Sequence, residues 1–318
     1  MNIFQEILQA EKRIRPHILK TPLIESRNLS KQIEGKVFLK LENEQHTGSF
    51  KARGSLNKIL SLTDDEKKRG VTTASTGNHA LGFARALQIA NVQGTVYLPE
   101  NASKAKIAAL GEYPVQLAFY GTDALSTELH AKEQARIQGK VWVSPYNDAQ
   151  IIGGQGTIGI ELEEQLDHFD HVLVTIGGGG LISGIGTYLK EKRPNTKVIG
   201  CEPEHSCEMT LSLAAGSIME MDEEKDTLSD GSAGGIEEGA ITFPLSQEVI
   251  DETILVSEEE IASAIKLIAN EHHQIIEGAA GVAVASLIKG SKKFKGSAVI
   301  VVICGGNIDL EKFNKLLR

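Results

Sequence analysis

Val172-Leu173-Val174-Thr175-Ile176-Gly177-Gly178-Gly179-Gly180-Leu181-Ile182-Ser183-Gly184-Ile185-Gly186 reads as a strand, a glycine turn and the start of a helix. Its first five residues are a short β-rich run of the kind that forms a strand. At such a turn successive N–H groups converge, and the macrodipole of the following helix favours negative charge. The segment is therefore a ready anion site. Two other readings stay open here. One is a tight turn in which glycines let strand and helix pack closely. The other is a dinucleotide-binding turn, although the run lacks the spaced G-x-G-x-x-G pattern.

Outward from this unit, short β-rich runs alternate with helical patterns, the signature of βαβ units and parallel sheet. Further strands are expected at Val37–Leu41, Val71–Ala74, Thr95–Leu98, Val115–Ala118, Val198–Gly200 and Ala298–Ile303. The last is apolar on both faces, as a central strand would be. Helices are expected over Asn78–Gln88, Asp123–Gln138 and Ser257–His272, with Ser257 and Glu260 forming a capping box. The N-terminal Met1–Ile7 has an amphipathic helical pattern. Ala214–Phe243 loosens into glycine, acidic and small residues and reads as an irregular connection; long connections of this kind are often functional.

The chain has 318 residues, more than one core usually serves, so two domains or one large α/β unit are expected. Hydrophobic residues make up 41% and charged residues 24%, with a net charge of −9. That balance argues against nucleic acid or an anionic membrane as partner. Binding of a single phosphate by backbone amides is unaffected by it. Cys201, Cys207 and Cys304 make no paired framework and no zinc-like spacing, which fits a reducing compartment. No signal peptide and no apolar membrane span are read, so a cytoplasmic location is expected.

Three more segments carry candidate chemistry. Lys51 lies in Thr47-Gly48-Ser49-Phe50-Lys51-Ala52-Arg53-Gly54, following an aromatic residue and flanked by glycine turns. A lysine forms a Schiff base with a carbonyl only when it is deprotonated and held in a shielded site. Ser75-Thr76-Gly77-Asn78-His79 follows one strand and opens a helix; it is a polar cap or a second anion site for a group such as a carboxylate. Cys304-Gly305-Gly306-Asn307 follows the most hydrophobic strand. Its thiol is inert packing or an uncharged partner for a heteroaromatic nitrogen.

Taken in order and spacing, these four segments resemble the pyridoxal-phosphate enzymes of the tryptophan-synthase-β fold, in the branch of threonine/serine dehydratases and serine racemase. The likeness covers nearly the whole chain. It implies an α/β fold of two domains, each a mostly parallel twisted sheet covered by helices. A large domain would span 1–67 and 148–318, and a small mobile domain 68–147. Lys51 would be the Schiff-base lysine, Phe50 would lie against the pyridine ring, and Asn78 would bond the cofactor's 3-hydroxyl. Gly177, Gly178, Gly179, Gly180 and Leu181 would hold the phosphate through their amides, and Cys304 would meet the pyridine nitrogen. The backbone of Ser75, Thr76, Gly77, Asn78 and His79 would receive the substrate carboxylate.

The implied activity is β-elimination from a β-hydroxy amino acid such as L-threonine or L-serine, giving a 2-oxo acid and ammonia. Thr76 stands where many dehydratases have alanine and racemases serine; a hydroxyl on the face opposite Lys51 also allows racemisation. A non-catalytic metabolite-binding protein using only the glycine turn is the alternative from another class. The family's Glu-Pro appears as Glu277-Gly278, which makes Glu277 a candidate neighbour of the site. Glu202-Pro203-Glu204-His205-Ser206-Cys207-Glu208 is similar to the divalent-cation site of the racemase branch, with Glu202, Glu208 and the Ser206 carbonyl as ligands for magnesium or calcium. The family's usual second acid is aspartate, one methylene shorter than Glu208. A homodimer without an appended regulatory domain completes the expectation.

Overall fold

The computed structural model describes residues 2–317, apart from 222 and 224. Its ten strands are β1 (Leu23–Glu25), β2 (Lys36–Leu41), β3 (Val71–Ala74), β4 (Gly94–Leu98), β5 (Gln116–Phe119), β6 (Val141–Trp142), β7 (His171–Thr175), β8 (Lys197–Pro203), β9 (Glu252–Val256) and β10 (Ala298–Ile303). They form two sheets. The first has six strands in the order β1-β2-β10-β7-β8-β9, and the second has four in the order β5-β4-β3-β6. All pairings are parallel except β1 with β2. This is the mostly parallel, helix-covered α/β architecture expected.

Each sheet has its own core. Val172, Leu173, Val174, Val299, Ile300, Val301 and Val302 are buried at the centre of the larger one. Phe83, Leu87, Val96 and Leu98 fill the smaller. β10 lies between β2 and β7 and pairs along its whole length with β2, from Ala298 opposite Lys36 to Ile303 opposite Leu41. Its unbroken apolar run follows from cover on both faces.

The strands that the sequence pattern did not disclose are β1, β6 and β9. The first two are only three and two residues long. β9 is an edge strand with a half-exposed pattern, although Thr253-Ile254-Leu255-Val256 is β-branched and aliphatic. The N-terminal helix runs Ile3–Ile14 and buries Ile3, Ile7, Ala10 and Ile14, one apolar stripe at helical spacing.

The Ser257 capping box is present. The Ser257 hydroxyl accepts from Glu260 N at 3.3 Å, and the Glu260 carboxylate accepts from Ser257 N at 2.8 Å. Replacing Ser257 by alanine is expected to lower stability by about 1 kcal/mol. Urea unfolding would check this, and an unchanged midpoint would contradict it.

Candidate active site

The site is built where the carboxyl ends of β10, β7 and β3 meet, the usual ligand position in open α/β sheets. Ser49 bridges Gly305, and Phe50 N donates to the Cys304 carbonyl at 3.1 Å. These contacts stitch the turn before Lys51 to the end of β10, so Lys51 opens its helix (Lys51–Ser61) beside Cys304. The helix Asn78–Ala90 packs closely against this point. A Cβ on Gly82 would come within 2.8 Å of the Lys51 carbonyl oxygen.

The Lys51 side chain is half-buried as a whole, but its amine is enclosed. Nζ donates to the Pro145 carbonyl at 2.8 Å and lies 5.2 Å from the centre of the Phe50 ring. Burial pushes the amine down to about 8, against the raising pull of Cys304 and Glu277. Desolvation thus supplies what a lysine nucleophile or base needs, a substantial neutral fraction near neutral pH.

The glycine turn follows β7 and opens the helix Gly180–Lys192. Gly179 has φ +86°, where a side chain is strained. A Cβ on Gly178 would collide with the Tyr146 ring, and one on Gly180 would reach the Tyr146 backbone at 3.1 Å. Among the described residues, no amide from Gly177 to Ile182 donates to a protein acceptor; Ser183 is the first to do so, to the Gly179 carbonyl at 3.0 Å. The turn therefore presents unpaired donors at a helix N-terminus, the arrangement that holds a phosphate.

Ser75, Thr76 and Gly77 lead from β3 into the helix that starts at Asn78. A side chain at Gly77 would meet open space. The Asn78 amide nitrogen donates to both oxygens of Glu277, at 2.8 and 3.0 Å, while its oxygen accepts from Asn307 Nδ2 at 2.6 Å. Glu277 is buried, and burial lifts its carboxyl to about 7; the bonds from Asn78 lower it and Asp230 raises it. His79 is the second residue of the helix that starts at Asn78. Its imidazole is buried and bonded to Thr73 Oγ1 at 3.0 Å and the Val143 carbonyl at 3.3 Å. Burial and the Lys51 charge hold it down at about 3, so the ring stays neutral.

Cys304 is buried at the end of β10, and burial raises its thiol well above the ordinary range. It is an uncharged group beside Lys51 and Glu277. Sequence reasoning thus located Lys51, Asn78, Cys304 and Glu277, which the fold brings together. It missed Pro145 and Tyr146, for which the pattern carries no signal, and left Asn307 unassigned although it lies inside a quoted motif.

The carboxylates of the suspected cation site lie apart from this centre, around the start of the helix Glu208–Ala215. Glu202 caps that helix. It accepts from Met209 N at 3.1 Å, from Thr210 N at 2.8 Å and from the Thr210 hydroxyl. Ser206 Oγ donates to Glu208 at 2.8 Å. Burial, with a smaller push from Glu208, raises Glu202 to about 7. No cluster of three or more His, Cys, Asp or Glu suited to a metal occurs among the described residues.

A family model described as pyridoxal-phosphate dependent enzyme matches residues 14–306. The chain belongs to this family. The catabolic L-threonine dehydratase of Escherichia coli (strain K12) is 36% identical to it over 313 residues, 98% of this chain and 94% of that protein. The processed form of threonine deaminase isoform 2 from Solanum lycopersicum superposes with a TM-score of 0.93 at 34% identity, covering 99% of this chain and 92% of that one. Serine racemase from Dictyostelium discoideum is also 34% identical, with a TM-score of 0.89 over 96% of this chain and 98% of that one.

For a pyridoxal-phosphate enzyme, the residues present fit the cofactor. The unpaired amides of Gly177–Ile182 match a phosphate, and the lowered Lys51 amine matches an aldehyde. The neutral Cys304 thiol matches a ring nitrogen that is left unprotonated. Among the described residues, no helix is long and apolar enough to cross a membrane.

Proposed function

We propose that this protein is an ammonia-lyase of the threonine/serine dehydratase type, converting a β-hydroxy amino acid into a 2-oxo acid and ammonia. The observation that carries this is the enclosed Lys51 amine, lowered to about 8 beside an uncharged Cys304. Pyridoxal phosphate, when bound, supplies an electron sink for charge left on the substrate's α-carbon. In this reading the amides of Gly177, Gly178, Gly179, Gly180 and Leu181 would hold its phosphate, Phe50 would lie against its ring, and Asn78 would bond its 3-hydroxyl. Lys51 would hold the cofactor's aldehyde, and its neutral amine would be the base facing the substrate's α-proton. The Pro145 carbonyl gives that amine a fixed acceptor. The amides of Ser75–His79 orient the substrate carboxylate at a helix N-terminus. Cys304, an uncharged thiol, would face the ring nitrogen without adding charge there, which would suit elimination better than transamination.

The test is incubation of the purified protein with L-serine, L-threonine and 3-hydroxyaspartate, with assay of 2-oxo acid; silence on all three would reject the reading. Racemisation is the second reading, supported by the hydroxyl of Thr76 and the likeness to serine racemase. If Thr76 is the proton donor on the second face, Thr76→Ala should abolish D-amino-acid formation on chiral chromatography and leave 2-oxo acid formation within about threefold. Equal losses of both would remove Thr76 from that role. A non-catalytic binding protein would leave the buried Lys51 amine without a purpose.

The reading extends to a small unit, residues 68–147, closing over the substrate, and to a cytoplasmic homodimer. It includes a structural magnesium or calcium ion on Glu202, Glu208 and the Ser206 carbonyl. What supports that site is that both carboxylates are buried and that oxygen ligands suit a hard cation.

A further inference from the structure

Between β6 and the helix Ala149–Gln165, residues 143–148 cross from the small sheet to the large one and touch both halves of the candidate site. Pro145 accepts from the Lys51 amine, and Tyr146 packs its ring and backbone on Gly178 and Gly180. One carboxylate in the irregular 214–243 stretch holds this crossing. Glu237 Oε1 accepts from Asn147 Nδ2 at 2.8 Å, and its backbone N donates to the Tyr146 hydroxyl at 3.0 Å. Oε2 accepts at 2.6 Å from Lys132 Nζ, on the helix Ala124–Gln138 of the small layer. Asn147 in turn accepts from Ile241 N at 2.9 Å.

We propose that Glu237 is a positioning residue for the phosphate-binding turn, clamping Lys132 of the small layer and Asn147 of the crossing so that Tyr146 stays seated on Gly178 and Gly180. This rests on the reading of Gly177–Leu181 as a phosphate site. The Lys132 and Glu237 side chains are 29% and 32% exposed, so their ion pair is largely screened and adds little to folding stability. Its consequence is geometric. Where the Tyr146 ring lies sets where the amides of the turn point, and a shift there is felt by an anion more than by an uncharged ligand.

The structure also supplies a reporter. Trp142 is the single tryptophan of the chain, and the Lys132 ammonium lies 5.6 Å from the centre of its ring. Lys132 also pairs with Glu128 of its own helix at 2.8 Å, so losing Glu237 leaves the ammonium one partner and alters the charge beside that indole.

The experiment compares wild type, Glu237→Ala, Glu237→Gln and Lys132→Met as apoproteins reconstituted with pyridoxal phosphate or with pyridoxal, which lacks the phosphate. Glu237→Ala should weaken pyridoxal-phosphate binding about tenfold, the equivalent of one lost charge-assisted hydrogen bond. Pyridoxal binding should change less than about twofold. Lys132→Met should weaken pyridoxal-phosphate binding in the same direction, and Trp142 emission of both apoproteins should differ from wild type while their thermal midpoints do not. Should Glu237→Ala not fold, the isosteric Glu237→Gln and Lys132→Met carry the same comparison. Equal loss for both ligands, or no loss for either, would overturn the positioning role alone. Wild-type protein that takes up neither ligand would overturn the phosphate reading and this inference with it.

Discussion

Lys51→Ala is expected to lower 2-oxo acid formation by about 10³-fold or more, the scale of a lost nucleophile and general base. It should also abolish borohydride-stable attachment of the cofactor. In the proposed reading the two losses have one cause, since the same nitrogen would hold the cofactor and take the α-proton. Peptide mapping after reduction should place the label on Lys51 in wild type and nowhere in the variant. Because burial disfavours the charged amine, half of it is neutral near pH 8 rather than at the ordinary lysine value. Covalent uptake of pyridoxal phosphate by apoprotein should therefore rise with pH and level off above about 8. An inflection near the ordinary lysine value would mean that the amine is solvated, and the site would lose its chemical basis.

The candidate site was legible before the fold because its four segments occur together and in order, although each alone leaves other readings open. A run of four glycines after an apolar strand is needed only where backbone must stay bare, and Tyr146 against Gly178 supplies the physical reason. The strands that were read correctly are those whose pattern covers a full element, such as Val71–Ala74 and Ala298–Ile303. β1 and β6 were not readable because two or three residues carry no period. The contacts that tie the site together were hidden for another reason. Lys132 and Glu237 are 105 residues apart in sequence, and nothing in either segment announces the other. The loosened Ala214–Phe243 stretch could be read as irregular, but not that one of its acids would reach the crossing at Asn147.

Arg53 shows how far such hidden coupling extends, and Arg53→Met is expected to destabilise the protein by about 3–5 kcal/mol. The residue lies two positions beyond Lys51 and is fully buried. Its guanidinium donates to Glu42 at 2.7 and 2.8 Å and to Glu161 at 2.7 and 3.0 Å. Lys40, also buried, donates to Glu161 at 2.5 Å. The cluster joins β2, the Lys51 helix and the helix Ala149–Gln165 through charges that water does not screen. Burial alone would raise Glu161, yet Arg53 and Lys40 outweigh it and hold the carboxyl down at about 2. Methionine fills much of the volume but takes from Glu42 its guanidinium partner, while Glu161 keeps Lys40 and Arg15; a buried carboxylate that loses its counter-charge is the costly part. That cost is a large share of the roughly 5–15 kcal/mol by which domains are stable. Urea unfolding of Arg53→Met should show it, and adding Glu42→Gln should recover part of the loss by removing one orphaned charge. A single variant as stable as wild type would mean that water reaches the cluster, and the Lys51 helix would then be held by packing and by the bonds of Asn57 and Lys58 instead.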